Sequence, residues 1–292
     1  PAMTDSHYRG RFAPSPTGPL HFGSLVTAVA SYLEARSHNG AWLVRIEDLD
    51  PLRESPEATQ RILESLDAHG LHSDEPVRFQ SERHAHYRTL IDQLLHQGLA
   101  YRCACSRKQL RENDGRHPEH CREGKAEPGE RPFAVRFALH EERSEWHDQL
   151  LGPQLQKIHA ELDDPVILRK EGFYAYQLAV VADDIDQEIS HVVRGSDLLD
   201  MTAQQQQIYR SLSTPPPHWM HIPVILNADG QKLSKQNHAP ALDDRKAKDN
   251  LKQALAALGQ DQRLLAGASD IGTLLARAAA NWAPERIHLT AR

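Results

Sequence analysis

The segment Arg11-Phe-Ala-Pro-Ser-Pro-Thr-Gly-Pro-Leu-His21-Phe-Gly23-Ser24-Leu25 constrains the fold of this 292-residue chain more than any other stretch. Arg11-Phe-Ala reads as the end of a first strand. Ala13 to Pro19 is rich in proline and glycine, so it reads as a loop. His21 then opens a helix, with apolar residues at Leu25, Val26, Val29, Ala30 and Leu33. Strand, turn-rich loop and helix N-terminus in succession make an anion site, because the first N–H groups of a helix have no intrahelical partner. His21 is placed to donate a hydrogen bond to a phosphate oxygen. Gly23 lets an adenosine lie against the backbone, and Ser24 shares that turn.

Far along the chain, Lys232-Leu-Ser-Lys235-Gln236 follows the turn Asn227-Ala-Asp-Gly230. Two ammonium groups on such a loop can close over phosphates. The first signature and this one read as two halves of one nucleotide site. Chemistry that forms an acyl-adenylate needs such a site: it holds ATP, aligns a carboxylate with the α-phosphorus and stabilises spreading negative charge. His21, Lys232 and Lys235 are the expected catalytic residues; His21, Gly23, Ser24 and Lys235 are expected to hold ATP, with Mg²⁺ as its counterion.

With these residues in place, the chain resembles the class I aminoacyl-tRNA synthetases of the glutamyl/glutaminyl group. Four further segments carry the likeness: Arg45-Ile-Glu47-Asp48-Leu-Asp50, Tyr176 to Asp184, His191-Val-Val-Arg194-Gly195-Ser-Asp197, and Tyr209-Arg-Ser-Leu. Against the group's His-Ile-Gly-His pattern the chain has Phe22 and Ser24; against Lys-Met-Ser-Lys-Ser it has Leu233 and Gln236. An acidic amino acid needs cations for its carboxylates and an anion for its ammonium, and Arg11, Glu47 and Arg194 supply these near strand ends. The resemblance implies that Arg11 and Arg194 hold the side-chain carboxylate of L-glutamate, that Glu47 holds its ammonium and that Tyr176 closes the pocket, with Ala13 and Ser15 on the adjoining loop. Two arginines favour glutamate over glutamine, since a neutral amide leaves a buried guanidinium poorly paired. Asp183-Asp184 reads more readily as a pair that orients its neighbours than as a Mg²⁺ site.

The three cysteines, Cys103, Cys105 and Cys121, fall in one short segment together with His117 and His120. An odd count without a secretory signal argues against disulfides. Cys-x-Cys followed by a His/Cys pair suits tetrahedral zinc. His117 lies four residues before Cys121, room enough to wrap a metal, whereas His120 is adjacent to Cys121; the resembled family also places a ligand near His117. The expected ligands are Cys103, Cys105, His117 and Cys121, a closed and therefore structural site.

The expected fold is α/β: a doubly wound, Rossmann-type parallel sheet with an inserted zinc-bearing subdomain and a short helical tail. Residues 1–100 and 191–240 would form the two halves of the catalytic domain, 101–190 the insertion and 241–292 the tail. Strands are expected at Ala41–Ile46, Phe133–Leu139, within 146–168, and near His191 and His221; helices at Pro56–His69 and His84–Gly98. The formal charge of −6 argues against nonspecific coating of nucleic acid but leaves room for a tRNA on a local basic face. With no apolar run of membrane length and no signal peptide, a cytoplasmic, monomeric enzyme is expected.

Only 56 residues follow Gln236, too few for an anticodon-binding region. The resemblance therefore narrows to a truncated subgroup of the family. Its members activate glutamate with ATP without needing tRNA, then esterify it onto the cyclopentene-diol of queuosine in the anticodon of tRNA(Asp). A short synthetase charging a 3′ end, an inactive tRNA-binding paralogue and a small-molecule ligase of the same fold are the alternatives.

Overall fold

The computed structural model describes residues 7–125, 128–224 and 239–289. The first half runs β1 (Arg9–Phe12), α1 (Phe22–Ser37), β2 (Ala41–Ile46), α2 (Pro56–Ala68), β3 (Arg78–Phe79) and α3 (His84–His96). Then come β4 (Ala100–Cys103), α4 (Arg107–Glu112), α5 (Glu119–Arg122), β5 (Ala134–Phe137), β6 (Arg143–Asp148), β7 (Gly152–Lys157), α6 (Ala160–Asp163) and β8 (Val166–Leu168). The chain continues with α7 (Tyr176–Asp186), β9 (His191–Gly195), α8 (Thr202–Ser211), β10 (His218–Ile222), α9 (Ala247–Ala257), α10 (Gln262–Leu265) and α11 (Ile271–Ala280).

Parallel pairing joins β1 to β2, β2 to β3, and β9 to β10. Between the two groups, Ser190 N–H donates to the Arg9 carbonyl at 3.0 Å and Arg9 N–H to Ser190 Oγ at 2.9 Å. The strand order thus reverses at a seam between β1 and β9, where α/β sheets of this kind place a ligand crevice.

Alternation along the strands splits the core into two faces. Phe12, Trp42, Val44, Ile46, Val193, Met220 and Ile222 pack on one side with α1, α9 and α11. Leu43, Val192 and Trp219 pack on the other with α3, α7 and α8. The same period of two sends Arg11, Arg45, Arg194 and His221 towards the α7–α8 face. Helix α1 is buried at Leu25, Val26, Val29, Ala30 and Leu33, as its apolar spacing implies, and also at Glu34. Its length on both sides is covered because the tail helices α9 and α11 pack on it; Trp282 Nε1–H donates to Glu34 Oε1 at 2.8 Å. The helical tail is therefore part of the core and not an appendage.

The inserted region holds an antiparallel sheet in the order β4-β5-β8. The strands expected within 146–168 are present, but β6 and β7 do not join that sheet. They form an antiparallel hairpin that attaches to the parallel layer through β6 beside β10 (Asp148 opposite Trp219). The reason is chemical: Asp148 accepts hydrogen bonds from His221 N–H at 3.1 Å and from His221 Nδ1–H at 2.6 Å, fixing β6 to β10.

Candidate active site

Arg11, Glu47, Arg194 and Asp184 are all buried, and Tyr176 is partly so, at the first turn of α7. Arg11 forms a two-pronged ion pair with Asp184, Nε to Oδ1 at 3.0 Å and Nη2 to Oδ2 at 2.9 Å. Arg45 shares the same carboxylate (Nη2 to Oδ1, 2.9 Å) and also reaches Glu47 at 3.2 Å and Gln187 at 2.8 Å. Burial would push Asp184 up, but Arg11 and Arg45 overcome it and hold the carboxyl below the ordinary range. Asp183 serves the neighbouring elements: it accepts from Gln80 at 3.0 Å, Arg83 at 2.9 Å and Tyr87 at 2.5 Å. The Asp183-Asp184 pair therefore orients its neighbours, as its sequence reading favours.

Glu47 differs from Asp184. Burial raises its carboxyl to about 7, only partly opposed by Arg45 and Arg11. Its Oε2 takes the Gln80 amide at 2.9 Å as well. Glu47 thus shares its paired cation, Arg45, with Asp184. Burial pushes the Tyr176 hydroxyl above the ordinary range, with the charges of Arg194 and Arg11 opposing the rise and those of Glu47 and Asp184 adding to it.

Arg194 is the odd member of the set. Its Nε–H donates to His221 Nε2 at 3.0 Å, Nη1 to Gln205 Oε1 at 2.8 Å, and Nη2 to Thr202 Oγ1 at 3.0 Å and the Leu198 carbonyl at 3.4 Å. Its guanidinium also lies over the Trp219 ring at 4.7 Å. Every one of these partners is neutral; among the described residues no carboxylate is paired with it, in contrast to Arg11 and Arg45. Burial accordingly pulls its proton affinity below the ordinary value. A buried cation without an anion is costly unless a ligand brings one. Of the five guanidinium N–H groups, one on Nη1 is left for that ligand.

The loop between β1 and α1 carries Ala13, partly buried, and Ser15, exposed. It is tied to β2 by Glu47 N–H donating to the Pro14 carbonyl at 2.9 Å. His21 is the N-cap of α1: Nδ1 accepts from Ser24 N–H at 3.3 Å, and Nε2 lies 3.1 Å from Ser24 Oγ. Gly23 and Ser24 lie partly buried in the first turn of α1, whose N–H groups and dipole favour an anion. Lys232, Lys235 and Gln236 lie outside the described residues.

Cys103, Cys105 and Cys121 bring their sulfurs within 4.8 Å of one another. His117 Nδ1 is 3.4 Å from Cys103 Sγ, and Cys105 and Cys121 Sγ are 3.8 Å apart. Three thiols and an imidazole so gathered can hold a metal ion. The His120 side chain lies outside what is described. Lys170 Nζ–H donates to the Cys105 carbonyl at 2.7 Å and the adjacent Arg169 pairs with Asp50 at 3.2 Å, so this knob is linked through residues 169–170 to the loop that follows β2.

Sequence reasoning missed Arg45, Gln205, His221 and Asp148. The run Gln204-Gln205-Gln206-Gln207 in α8 was a signal, because three of these glutamines are buried and each is hydrogen-bonded through its side-chain amide.

Residues 7–260 match the family model described as tRNA synthetases class I (E and Q), catalytic domain. The chain is 47% identical over 289 residues to the Pseudomonas putida (strain KT2440) protein named glutamyl-Q tRNA(Asp) synthetase, covering 98% of this chain and 94% of that one. It is 44% identical to a Vibrio parahaemolyticus protein of the same name, covering 98% of both. A crystal structure of a glutamate tRNA ligase from Elizabethkingia meningosepticum has the same fold, with a TM-score of 0.79 over 97% of this chain at 24% identity. The chain spans 66% of that structure's length.

Proposed function

The chain belongs to the class I tRNA synthetases (E and Q), and on that footing we propose that it joins L-glutamate to ATP as glutamyl-adenylate and then passes glutamate to queuosine in the anticodon of tRNA(Asp). The observation that carries the glutamate reading is Arg194, a buried guanidinium held by neutral acceptors alone. A glutamate side-chain carboxylate supplies the missing anion; a glutamine amide does not. The tRNA reading rests on the printed names of relatives that match this chain over nearly its whole length.

In this reading Arg194 and the Nη1 edge of Arg11 hold the side-chain carboxylate, Glu47 takes the ammonium and Tyr176 closes the pocket, with Ala13 and Ser15 beside it. The triphosphate of Mg-ATP lies at the N-terminus of α1, against His21, Gly23 and Ser24, and Lys232 and Lys235 steady the phosphates. A glutamate α-carboxylate oxygen attacks the α-phosphorus and pyrophosphate leaves. A hydroxyl of the queuosine diol then attacks the acyl carbon, losing its proton, and AMP leaves. Residues 1–100 and 191–240 are assigned to the catalytic domain, joined there by β6, β7 and α7 from within 101–190; the rest of 101–190 is the insertion and 241–292 the tail. Among the described residues no helix is long and apolar enough to cross a membrane.

Transfer of labelled glutamate with ATP tests the whole reading. Label in the anticodon loop of queuosine-containing tRNA(Asp), and none without queuosine, is the expected result. Label at the 3′ end of tRNA(Glu) would overturn it.

The pocket's charge also sets a pH dependence. Only ionised Glu47 attracts an ammonium, and its carboxyl lies at about 7. Glutamate binding must therefore weaken as pH falls through that value. The Michaelis constant for glutamate is expected to rise about tenfold per unit well below it. A constant that is flat from pH 5.5 to 8 would remove Glu47 from the ammonium site.

The Cys103, Cys105, Cys121 and His117 set fits a tetrahedral zinc ion, which when bound supplies cross-linking and no chemistry. Cys103→Ser is expected to lower both bound zinc and thermal stability. A full zinc complement in that variant, by metal analysis, would break the ligand assignment.

A further inference from the structure

Arg194 is held in place by a chain of two residues from other elements. Asp148, at the end of β6, and His221, in β10, are both fully buried. Arg194 Nε can only donate, so His221 Nε2, 3.0 Å away, must present a lone pair. Thr202 Oγ1, 3.3 Å from the same nitrogen, can donate to it as well. The ring proton therefore sits on Nδ1, where Asp148 Oδ2 accepts it at 2.6 Å. Asp148 is itself saturated: Oδ1 accepts from Leu150 N–H at 3.0 Å and Leu151 N–H at 2.9 Å, and Oδ2 from His221 N–H at 3.1 Å.

A charged His221 would set an N–H donor and a second positive charge against the Arg194 Nε–H. A carboxylate in place of the imidazole would pair with Arg194 and cancel its charge. A neutral ring of fixed tautomer avoids both. It steers the guanidinium while leaving its charge for a ligand.

We propose that Asp148 and His221 are positioning residues: together they fix the ring proton on Nδ1, aim Arg194 through Nε, and keep its charge uncompensated, so that the pocket selects a carboxylate over an amide. This rests on the reading of Arg194 as the glutamate side-chain anchor.

The tautomer is read directly from the ¹⁵N shifts of the His221 ring in the ligand-free protein, with His221→Gln assigning the signals. A proton on Nδ1 alone is expected; one on Nε2, or on both nitrogens, overturns the proposal, whatever the enzyme does. Asp148→Asn is the functional test. Its amide can donate to Nδ1, which would move the ring proton to Nε2 and turn it against Arg194. In pyrophosphate exchange, the Michaelis constant for glutamate is expected to rise about ten- to a hundredfold, the effect of a lost hydrogen bond to a charged group, with that for ATP little changed. The preference for glutamate over glutamine falls with it.

His221→Gln keeps a neutral acceptor with no tautomer. Adding Asp148→Asn to it is expected to leave the glutamate constant where His221→Gln alone puts it. A purely structural role for Asp148 would lower the melting temperature but not produce this non-additivity. An unchanged glutamate constant in folded Asp148→Asn, or full additivity in the double variant, overturns the proposal. Should the wild type fail to exchange with glutamate at all, the functional reading falls, while the ¹⁵N result still decides the tautomer.

Discussion

Arg194→Ala is expected to raise the Michaelis constant for glutamate by roughly two orders of magnitude. Truncating one partner of a buried, hydrogen-bonded charge pair costs about 2–5 kcal/mol, and roughly 2.8 kcal/mol is a hundredfold. The loss is expected in glutamate and not in ATP, because the first turn of α1, where the phosphates are proposed to lie, is built from other residues. Discrimination against glutamine is expected to collapse in the same variant, since the buried cation that penalises an amide is gone. Pyrophosphate exchange at varied glutamate, glutamine and ATP measures all three. A glutamate constant within about twofold of the wild type, far below the effect of any buried charge pair, would take Arg194 out of the pocket. An equal loss for ATP would show that the substitution had damaged the site as a whole.

Asp184→Asn is expected to be the most destabilising conservative change. One carboxylate serves both Arg11 and Arg45, each of them buried. Removing its charge while keeping its shape leaves two guanidinium groups short of an anion, and breaking a buried pair in this way costs about 3–5 kcal/mol. Denaturant unfolding reads the loss. A change below about 1 kcal/mol, the range of surface pairs, would mean that Glu47 and Asp183 supply the counter-charge instead. The sign with pH follows from the same geometry. Asp184 titrates below the ordinary carboxyl range in the folded protein. Its contribution is therefore complete above the unfolded value, about 3.9, and fades as pH falls through the lower folded value. Asp184→Asn is expected to flatten that acid limb.

Much of this architecture is written locally in the chain. Ala41–Ile46 reads as a strand because it is an apolar run between turn signals, and β2 occupies those residues. The helix after His21 reads from its apolar spacing, with His21 as the cap. The gathering of Arg11, Glu47, Tyr176 and Arg194 in one region follows from their places near strand ends and at a helix start. What the local pattern does not carry is the pairing among them. Arg11 and Asp184 are 173 positions apart and Arg45 and Asp184 139 apart, and no spacing rule links such residues. His221 was visible only as one imidazole in an apolar strand, and Asp148 as one acid in a polar, alternating stretch. Their shared task appears only when β6 is seen beside β10. Local pattern puts the hairpin in the insertion for the same reason: its antiparallel character is local, but its attachment depends on a buried contact between Asp148 and His221, 73 positions apart.

The seam between β1 and β9 has a consequence for how the protein comes to life on the ribosome. The hydrogen bonds between Arg9 and Ser190 join residues 181 positions apart. Contacts of such long range form late, because a long loop must be closed before they repay its entropy. A nascent chain that has emerged only through β7 already carries the whole loop and first turn proposed to cradle the phosphates, yet Arg11 and Arg45 have no Asp184 and no Arg194 stands beside them. Those charges stay in water until α7 and β9 arrive. Recognition of the amino acid is thus acquired in one step once α7 and β9, which ends at Gly195, have closed on the sheet, and a fragment arrested before them is not a weak version of the enzyme but a chain with no pocket.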